Sequence, residues 1–273
     1  MVTEPAAMTL VGAGVVVTGG GSGIGAGLVR RFAAAGARVV VNDLDPMAGA
    51  QIADEVGALA LSGDVSDPVA VASLVAAARE HLGEIDLFCA NAGVAPMGGV
   101  VGRSVATPQE WAAAFDVNVM AHVHAATALL PAWLDRGRGR LLTTASAAGL
   151  LTMIGSAPYA VSKHAAVAFA EWLRVTYAHR GIVVQTLCPQ GVRTPMLRGT
   201  GRLGQTLLEP DAIDVTDVVD AVVAALRGDQ FLVLPHPEVA GYLAAKGTDP
   251  DTWLAQMNRL QKRLEDLSDG QNG

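Results

Sequence analysis

The amino-acid sequence predicts an α/β fold, a single doubly wound parallel sheet of about seven strands with helices on both faces. Two observations carry this reading. Short, continuous apolar runs alternate with longer stretches of helical spacing, and strands of that kind belong to a parallel sheet buried on both faces. Of 273 residues, 51% are hydrophobic but only 4% aromatic, and 31 are Gly. The core is therefore built from Ala, Val and Leu, which lets helices pack closely on strands. No linker, repeat or composition break interrupts the alternation, so residues 1–273 read as one domain. The tail from Ser268 to Gly273 is expected to be frayed and disordered.

Taken in order, Val11 to Val17 reads as a strand that ends in Thr18 and a glycine cluster, and Leu28 to Ala35 has helical spacing. Arg38 to Val41 is a second strand closed by Asn42 and Asp43. Pro46 to Val56 is helical, Ala58 to Leu61 a short strand, and Asp67 to His81 a further helix. Ile85 to Ala90 is the fourth strand, Pro108 to Leu134 one long Ala-rich helix, and Arg140 to Ala145 the fifth strand. Tyr159 to His179 is helical, and Ile182 to Leu187 is the sixth strand, ending at Pro189. Successive strand–helix–strand units require right-handed crossovers and hence a parallel sheet.

Composition narrows the function. The net charge is −7 and only 16% of residues are charged, with no basic stripe, which argues against nucleic acid. Cys89 and Cys188 are too few for a disulfide framework and lack metal spacing. His122 and His124 lie two apart on a predicted helix and do not share a face, so no metal is expected. The N-terminal residues lack a cationic flank followed by an apolar region, and no apolar run approaches a membrane span. The expectation is a cytoplasmic protein without a membrane partner.

The turn Thr18-Gly19-Gly20-Gly21-Ser22-Gly23-Ile24-Gly25 joins the first strand to the first helix. Glycines there permit a tight turn, let backbone N–H groups approach a pyrophosphate, and bring helix close to strand. This is a Rossmann-type fingerprint, and Gly19, Ser22, Gly23, Ile24 and Gly25 are its candidate cofactor contacts. Asp43 closes the second strand, where a carboxylate can hydrogen-bond both hydroxyls of an adenosine ribose and would repel a 2′-phosphate. With no Arg or Lys beside it, the predicted cofactor is NAD rather than NADP. The glycine spacing alone also admits a methyltransferase or a flavin-binding domain.

Tyr159-Ala-Val-Ser-Lys163 puts a phenol and an ammonium on one helical face. An ammonium at about 4 Å, with an effective dielectric of ~20, supplies on the order of 4 kcal/mol, roughly three powers of ten in acidity. That would bring the phenol into a useful acid–base range. A second Tyr-x-x-x-Lys occurs at Tyr242 and Lys246. Ser146, just past a strand, lies thirteen residues before Tyr159, whereas Asp229 lies thirteen before Tyr242. Tyr159 and Lys163 are therefore read as catalytic, and Tyr242 and Lys246 as surface or packing residues.

From Val11 to Met196 the chain resembles the short-chain dehydrogenases/reductases. The resemblance rests on Thr18 to Gly25, Asp64-Val65, Asn91-Ala92-Gly93, Asn118, Ser146 and Tyr159-x-x-x-Lys163. It implies that Tyr159 passes a proton to or from the substrate oxygen, and that Ser146 orients that oxygen. Lys163 would lower the phenol's pKa and hold the nicotinamide ribose, and Asn118 would support a water relay. Asp64 and Val65 would contact the adenine. Asn91, Ala92, Gly93, Pro189, Val192 and Thr194 would complete the cofactor site, with Thr194 on the nicotinamide-end phosphate or carboxamide. Where the family shows Pro-Gly, this chain has Pro189-Gln190; Gln190 is expected either to face the pocket or to point to solvent.

Residues 194–213 carry Met196, Leu197, Leu203, Leu207 and Leu208 among Gly199, Gly201, Gly204 and Pro210, and read as an apolar substrate lid. With Leu150, Leu151 and Met153 they suggest a hydrophobic alcohol or ketone. Small residues in Ala112 to Ala128 and Ala165 to Ala170 resemble a helix–helix subunit face, so a homo-oligomer, tetramer or dimer, is expected. Two alternatives remain: an NADP-dependent ketoacyl reductase acting on a carrier protein, and a non-catalytic NAD sensor.

Overall fold

Valine-rich strands that are buried along their whole length require cover on both faces, and the chain supplies it. The computed structural model describes residues 7–96, 106–200 and 206–269. Seven parallel strands form one sheet: β1 (Gly14–Thr18), β2 (Arg38–Asp43), β3 (Leu59–Ser62), β4 (Leu87–Ala90), β5 (Gly139–Thr144), β6 (Ile182–Leu187) and β7 (Leu232–Val233). Their spatial order is β3-β2-β1-β4-β5-β6-β7. The order reverses at β1, which pairs with both β2 and β4. That switch point opens a crevice at the carboxyl ends of the strands, where such sheets bind ligands.

The described helices are α1 (Gly23–Ala34), α2 (Pro46–Val56), α3 (Pro68–Leu82), α4 (Pro108–Phe115), α5 (Ala121–Arg136), α6 (Ala157–Tyr177), α7 (Pro195–Gly199), α8 (Val215–Ala225), α9 (Glu238–Thr248) and α10 (Pro250–Asp269). Side chains alternate across each strand. Val15, Val17, Val39 and Val41 pack under α1 and α8, against Leu28, Phe32, Val218 and Val222. Val16, Val40, Phe88 and Leu141 pack the other way, against Leu74, Ala125, Leu129 and Trp133 of α3 and α5.

Several expectations need correction. β1 starts at Gly14 rather than Val11. Val11 is exposed, Gly12 turns with φ +74°, and a Cβ at Gly14 would lie 1.9 Å from the Glu84 carbonyl oxygen. The first helix starts at Gly23, inside the glycine turn, five residues before apolar periodicity becomes visible. The long helix expected from Pro108 is α4 and α5 joined by a π turn at Asp116–Met120.

Pro108–Arg136 is, by length and composition, apolar enough to cross a membrane, contrary to the sequence expectation. Its Ala121, Ala125, Ala126, Leu129 and Trp133 are instead buried against this protein's own sheet. The small-residue stripe also turns partly inward, because Ala114, Ala121, Ala125, Ala166 and Ala170 are buried within the chain. At the C-terminus α10 continues through Asp269, beyond the Ser268 at which fraying is expected; residues 270–273 lie outside the described residues. So do Gly201, Leu203 and Gly204 of the expected lid.

Candidate active site

The turn after β1 is held by close contact. Gly19 has φ +61°, and a Cβ on it would lie 2.9 Å from Ala92 Cα. At Gly25 a Cβ would lie 2.0 Å from the Gly19 carbonyl oxygen, so only glycine lets α1 sit this near the turn. Thr18 ties the turn to β4, its Oγ1 accepting from the backbone N–H groups of Asn91 (3.0 Å) and Ala92 (3.1 Å). The N-terminus of α1 is a ready anion cradle. Ser22 makes no side-chain capping bond, the first turn carries no acid, and Thr194 faces Gly23 across the gap. Asp43 accepts from Gly21 N–H at 2.8 Å through Oδ2 and from Asp45 N–H at 3.0 Å through Oδ1, which fixes its carboxylate at the end of β2.

A cavity of about 420 Å³ runs from Asp43, Asp64 and Val65, past Gly19, Ser22, Gly23 and Ile24, to Ser146, Tyr159 and Lys163. Asn91, Ala92, Gly93, Pro189, Val192 and Thr194 also line it. An elongated groove with a fixed carboxylate at one end and an open helix N-terminus along its wall fits a dinucleotide. Leu151, Met153, Met196, Leu197 and Leu208 line the remaining part.

Two predicted site residues, Gly25 and Asn118, do not line this cavity. Gly25 acts through the close approach just described. Asn118 is fully buried in the π turn, where its Nδ2 donates to Val94 O (2.9 Å) and Ser162 Oγ (3.0 Å) and its Oδ1 accepts from Val94 N–H (2.9 Å). Its amide thus anchors the loop after β4. Asn91 is spent in the same way. Its Nδ2 donates to Thr18 O at 3.1 Å, and its Oδ1 accepts from Thr144 Oγ1 at 3.1 Å. Thr194 caps α7, its Oγ1 accepting from Leu197 N–H at 3.4 Å.

The Tyr–Lys pair departs from the expected electrostatics. Lys163 Nζ lies 5.7 Å from the centroid of the Tyr159 ring and donates to Thr144 O at 2.8 Å. Burial pushes the phenol's pKa up, and a hydrogen bond with Ser146 only partly opposes this. Burial also lowers Lys163 to about 8. Burial thus sets the direction at both groups, and at Tyr159 it outweighs the Ser146 hydrogen bond. Ser146 Oγ accepts from Ala148 N–H (3.1 Å) and donates to Pro189 O (3.3 Å).

Sequence reasoning missed Thr144, whose carbonyl seats Lys163 and whose hydroxyl holds Asn91. Its place at the carboxyl end of β5 was the available signal. Gln190 lines the cavity, yet its Nε2 turns toward Glu238 Oε1 at 3.4 Å, so it sits at the rim between the two expected positions. Both cysteines are buried free thiols. His122 is lowered to about 3, by burial first and then by the charge of Lys163.

A glycine turn at the switch point and a Tyr–Lys pair sharing its cleft define a nucleotide-binding protein of the oxidoreductase class. A model of the short chain dehydrogenase family matches residues 13–202, and the chain belongs to that family. It is 40% identical over 253 residues to a 1-deoxy-11-beta-hydroxypentalenate dehydrogenase of Streptomyces avermitilis, covering 88% of this chain and 91% of the relative. It is 31% identical to the oxidoreductase UcpA of Escherichia coli, over 86% of this chain and 89% of that one. Among solved structures, a short chain dehydrogenase/reductase of Burkholderia phymatum in complex with NAD superposes with TM-score 0.82 at 28% identity, covering 90% of this chain and 96% of that one.

Proposed function

We propose that the chain is an NAD-dependent oxidoreductase that interconverts a secondary alcohol and a ketone on an apolar small molecule. One observation carries this reading: a single cleft has a fixed carboxylate, Asp43, at its adenosine end and Ser146, Tyr159 and Lys163 at the other. The dinucleotide, when bound, supplies or takes up the hydride. Asp43 would accept hydrogen bonds from ribose hydroxyls, and its charge would disfavour a 2′-phosphate.

At neutral pH Tyr159 holds its proton, as its raised pKa requires. It is therefore poised to donate that proton to a ketone oxygen as the oxygen gains charge. In the oxidative direction Tyr159 would first have to give up its proton to solvent; the nearby ammonium of Lys163 would stabilise that phenolate, which then takes the alcohol's proton and returns to the phenol. Ser146 would hold the substrate oxygen by exchanging its bond to Pro189 O for one to the substrate. Lys163, seated on Thr144 O, would present its remaining hydrogens to the cofactor ribose.

The Streptomyces relative is named for a hydroxylated substrate, and the apolar wall formed by Leu151, Met153, Met196 and Leu208 suits a hydroxylated hydrocarbon framework here. Exposed Val161, Trp172 and Val175 on α6 would be covered in a homo-oligomer; a monomer by light scattering would reject that assembly.

The test is a panel of cyclic and acyclic alcohols and ketones, followed by reduced-nicotinamide absorbance with NAD and NADP in parallel. Tyr159→Phe should retain cofactor binding and lose roughly 10²- to 10⁴-fold in turnover, the usual range for a positioned acid or base. Full activity in that variant would overturn the assignment.

A further inference from the structure

The second Tyr-x-x-x-Lys, at Tyr242 and Lys246 on α9, lies outside the cleft but is tied to it. Tyr242 is half exposed and sits against Trp253, with ring centroids 6.3 Å apart. Lys246 turns inward, where its Nζ donates to Leu150 O at 2.7 Å and lies 3.4 Å from His164 Nε2. His164 Nδ1 is 2.9 Å from Ala160 O. A carbonyl can only accept, so Nδ1 carries the hydrogen and Nε2 offers its lone pair to Lys246. Every polar group in this chain of contacts thus has a partner of the correct type.

The same helix is fixed by apolar packing. Val239 is buried in a cluster with Ala145, Ala147, Leu150 and Cys188, and Leu243 packs against it. Ala145 and Ala147 flank Ser146, and Leu150 precedes Leu151, which lines the substrate part of the cleft with Met153. We propose that Lys246 is a positioning residue: from α9 it pins the Leu150 carbonyl and thereby sets the substrate-facing wall formed by Leu151 and Met153. This inference rests on the proposed alcohol–ketone activity for its kinetic consequence, but not for its structural one.

The experiment uses the full-length protein with Lys246→Met and Lys246→Arg. The Met variant should raise KM for the best alcohol of the panel about tenfold, the scale of one lost charge-assisted hydrogen bond, with kcat within about threefold. Its Kd for NAD should stay at the wild-type value. Amide exchange across Leu150 to Gly155 should quicken, and the Arg variant should restore both properties. Should the Met variant fail to fold, Lys246→Gln replaces it in the same comparison. Unchanged KM with unchanged exchange in that segment overturns the proposal. So does a rise in KM matched by an equal loss of NAD affinity, which marks general loosening. If wild type turns over no alcohol, the activity reading fails, and the exchange measurement alone decides the role of Lys246.

Discussion

Lys163 should cost the folded protein stability at neutral pH, and the cost should vary with pH in a way that identifies its cause. The side chain is 3% exposed, and burial lowers its pKa from 10.5 to about 8. Below pH 8 it is protonated in both folded and unfolded chains, so the folded state bears the whole desolvation penalty. Between about 8 and 10.5 the folded chain releases its proton while the unfolded chain keeps it. The unfolded state then binds more protons, so stability rises with pH through this window. Above 10.5 both are neutral and the penalty is gone. The gap between the two values corresponds to about 3 kcal/mol.

Lys163→Met removes the ammonium and leaves Thr144 O without its donor, a loss of about 1–3 kcal/mol. At pH 7 the two effects nearly cancel, and the variant should be as stable as wild type or slightly more so. Moving from pH 7 to pH 10 should shift the difference by about 2.5 kcal/mol toward wild type, or about 5 °C in Tm for a chain of this length. Cys188, raised to about 11, and Tyr159, raised above 10.0, titrate beyond most of that window and are present in both proteins. Urea unfolding of the two proteins at pH 7 and pH 10 measures the shift. A difference that does not change with pH, or one that grows in favour of the variant, refutes the reasoning.

Asp43→Ala should lower the preference for NAD over NADP by about tenfold or more, because it removes both the ribose acceptor and the charge opposed to a 2′-phosphate; parallel kinetics with the two cofactors check this. Gly25→Ala places a methyl against the Gly19 carbonyl oxygen and should weaken NAD binding, together with about 1–3 kcal/mol of stability, seen by calorimetry and urea unfolding. Gln190→Met breaks the contact with Glu238 at the cleft rim and should change the ranking of substrates in the alcohol panel while leaving Kd for NAD alone. An unaltered ranking would place Gln190 outside substrate choice.

The places of the strands along the chain could be anticipated because apolar runs and turn residues are local signals, and each β2-to-β6 segment announces itself within two or three residues of its true bounds. What local periodicity cannot show is where glycine is required by a closely approaching backbone, and this moved the starts of β1 and α1. Gly14 is dictated by the distant Glu84, a contact that exists only after the sheet has formed, and Gly25 by Gly19 within the same turn. β7, two residues long, carries too little pattern to be placed. The π turn around Asn118 interrupts a stretch whose composition is uniformly helical, and Asn118's bonds from it to Val94 and Ser162 are contacts that periodicity does not encode.

The site divides along the same line. Residue type and order brought Asp43, Ser146, Tyr159 and Lys163 into one cleft, because strand ends and helix starts fix which side chains meet there. Depth below the surface was not legible. Spacing of i and i+4 guarantees a shared face but leaves open whether a charge sits in water or on a carbonyl such as Thr144 O. Tyr159 turns on its own surroundings instead: burial raises its pKa, and the phenol holds its proton at neutral pH. Lys246 shows the converse. Its motif copies that of Tyr159 and Lys163, yet its Nζ meets the Leu150 carbonyl, so the two helices present the same spacing to different surroundings.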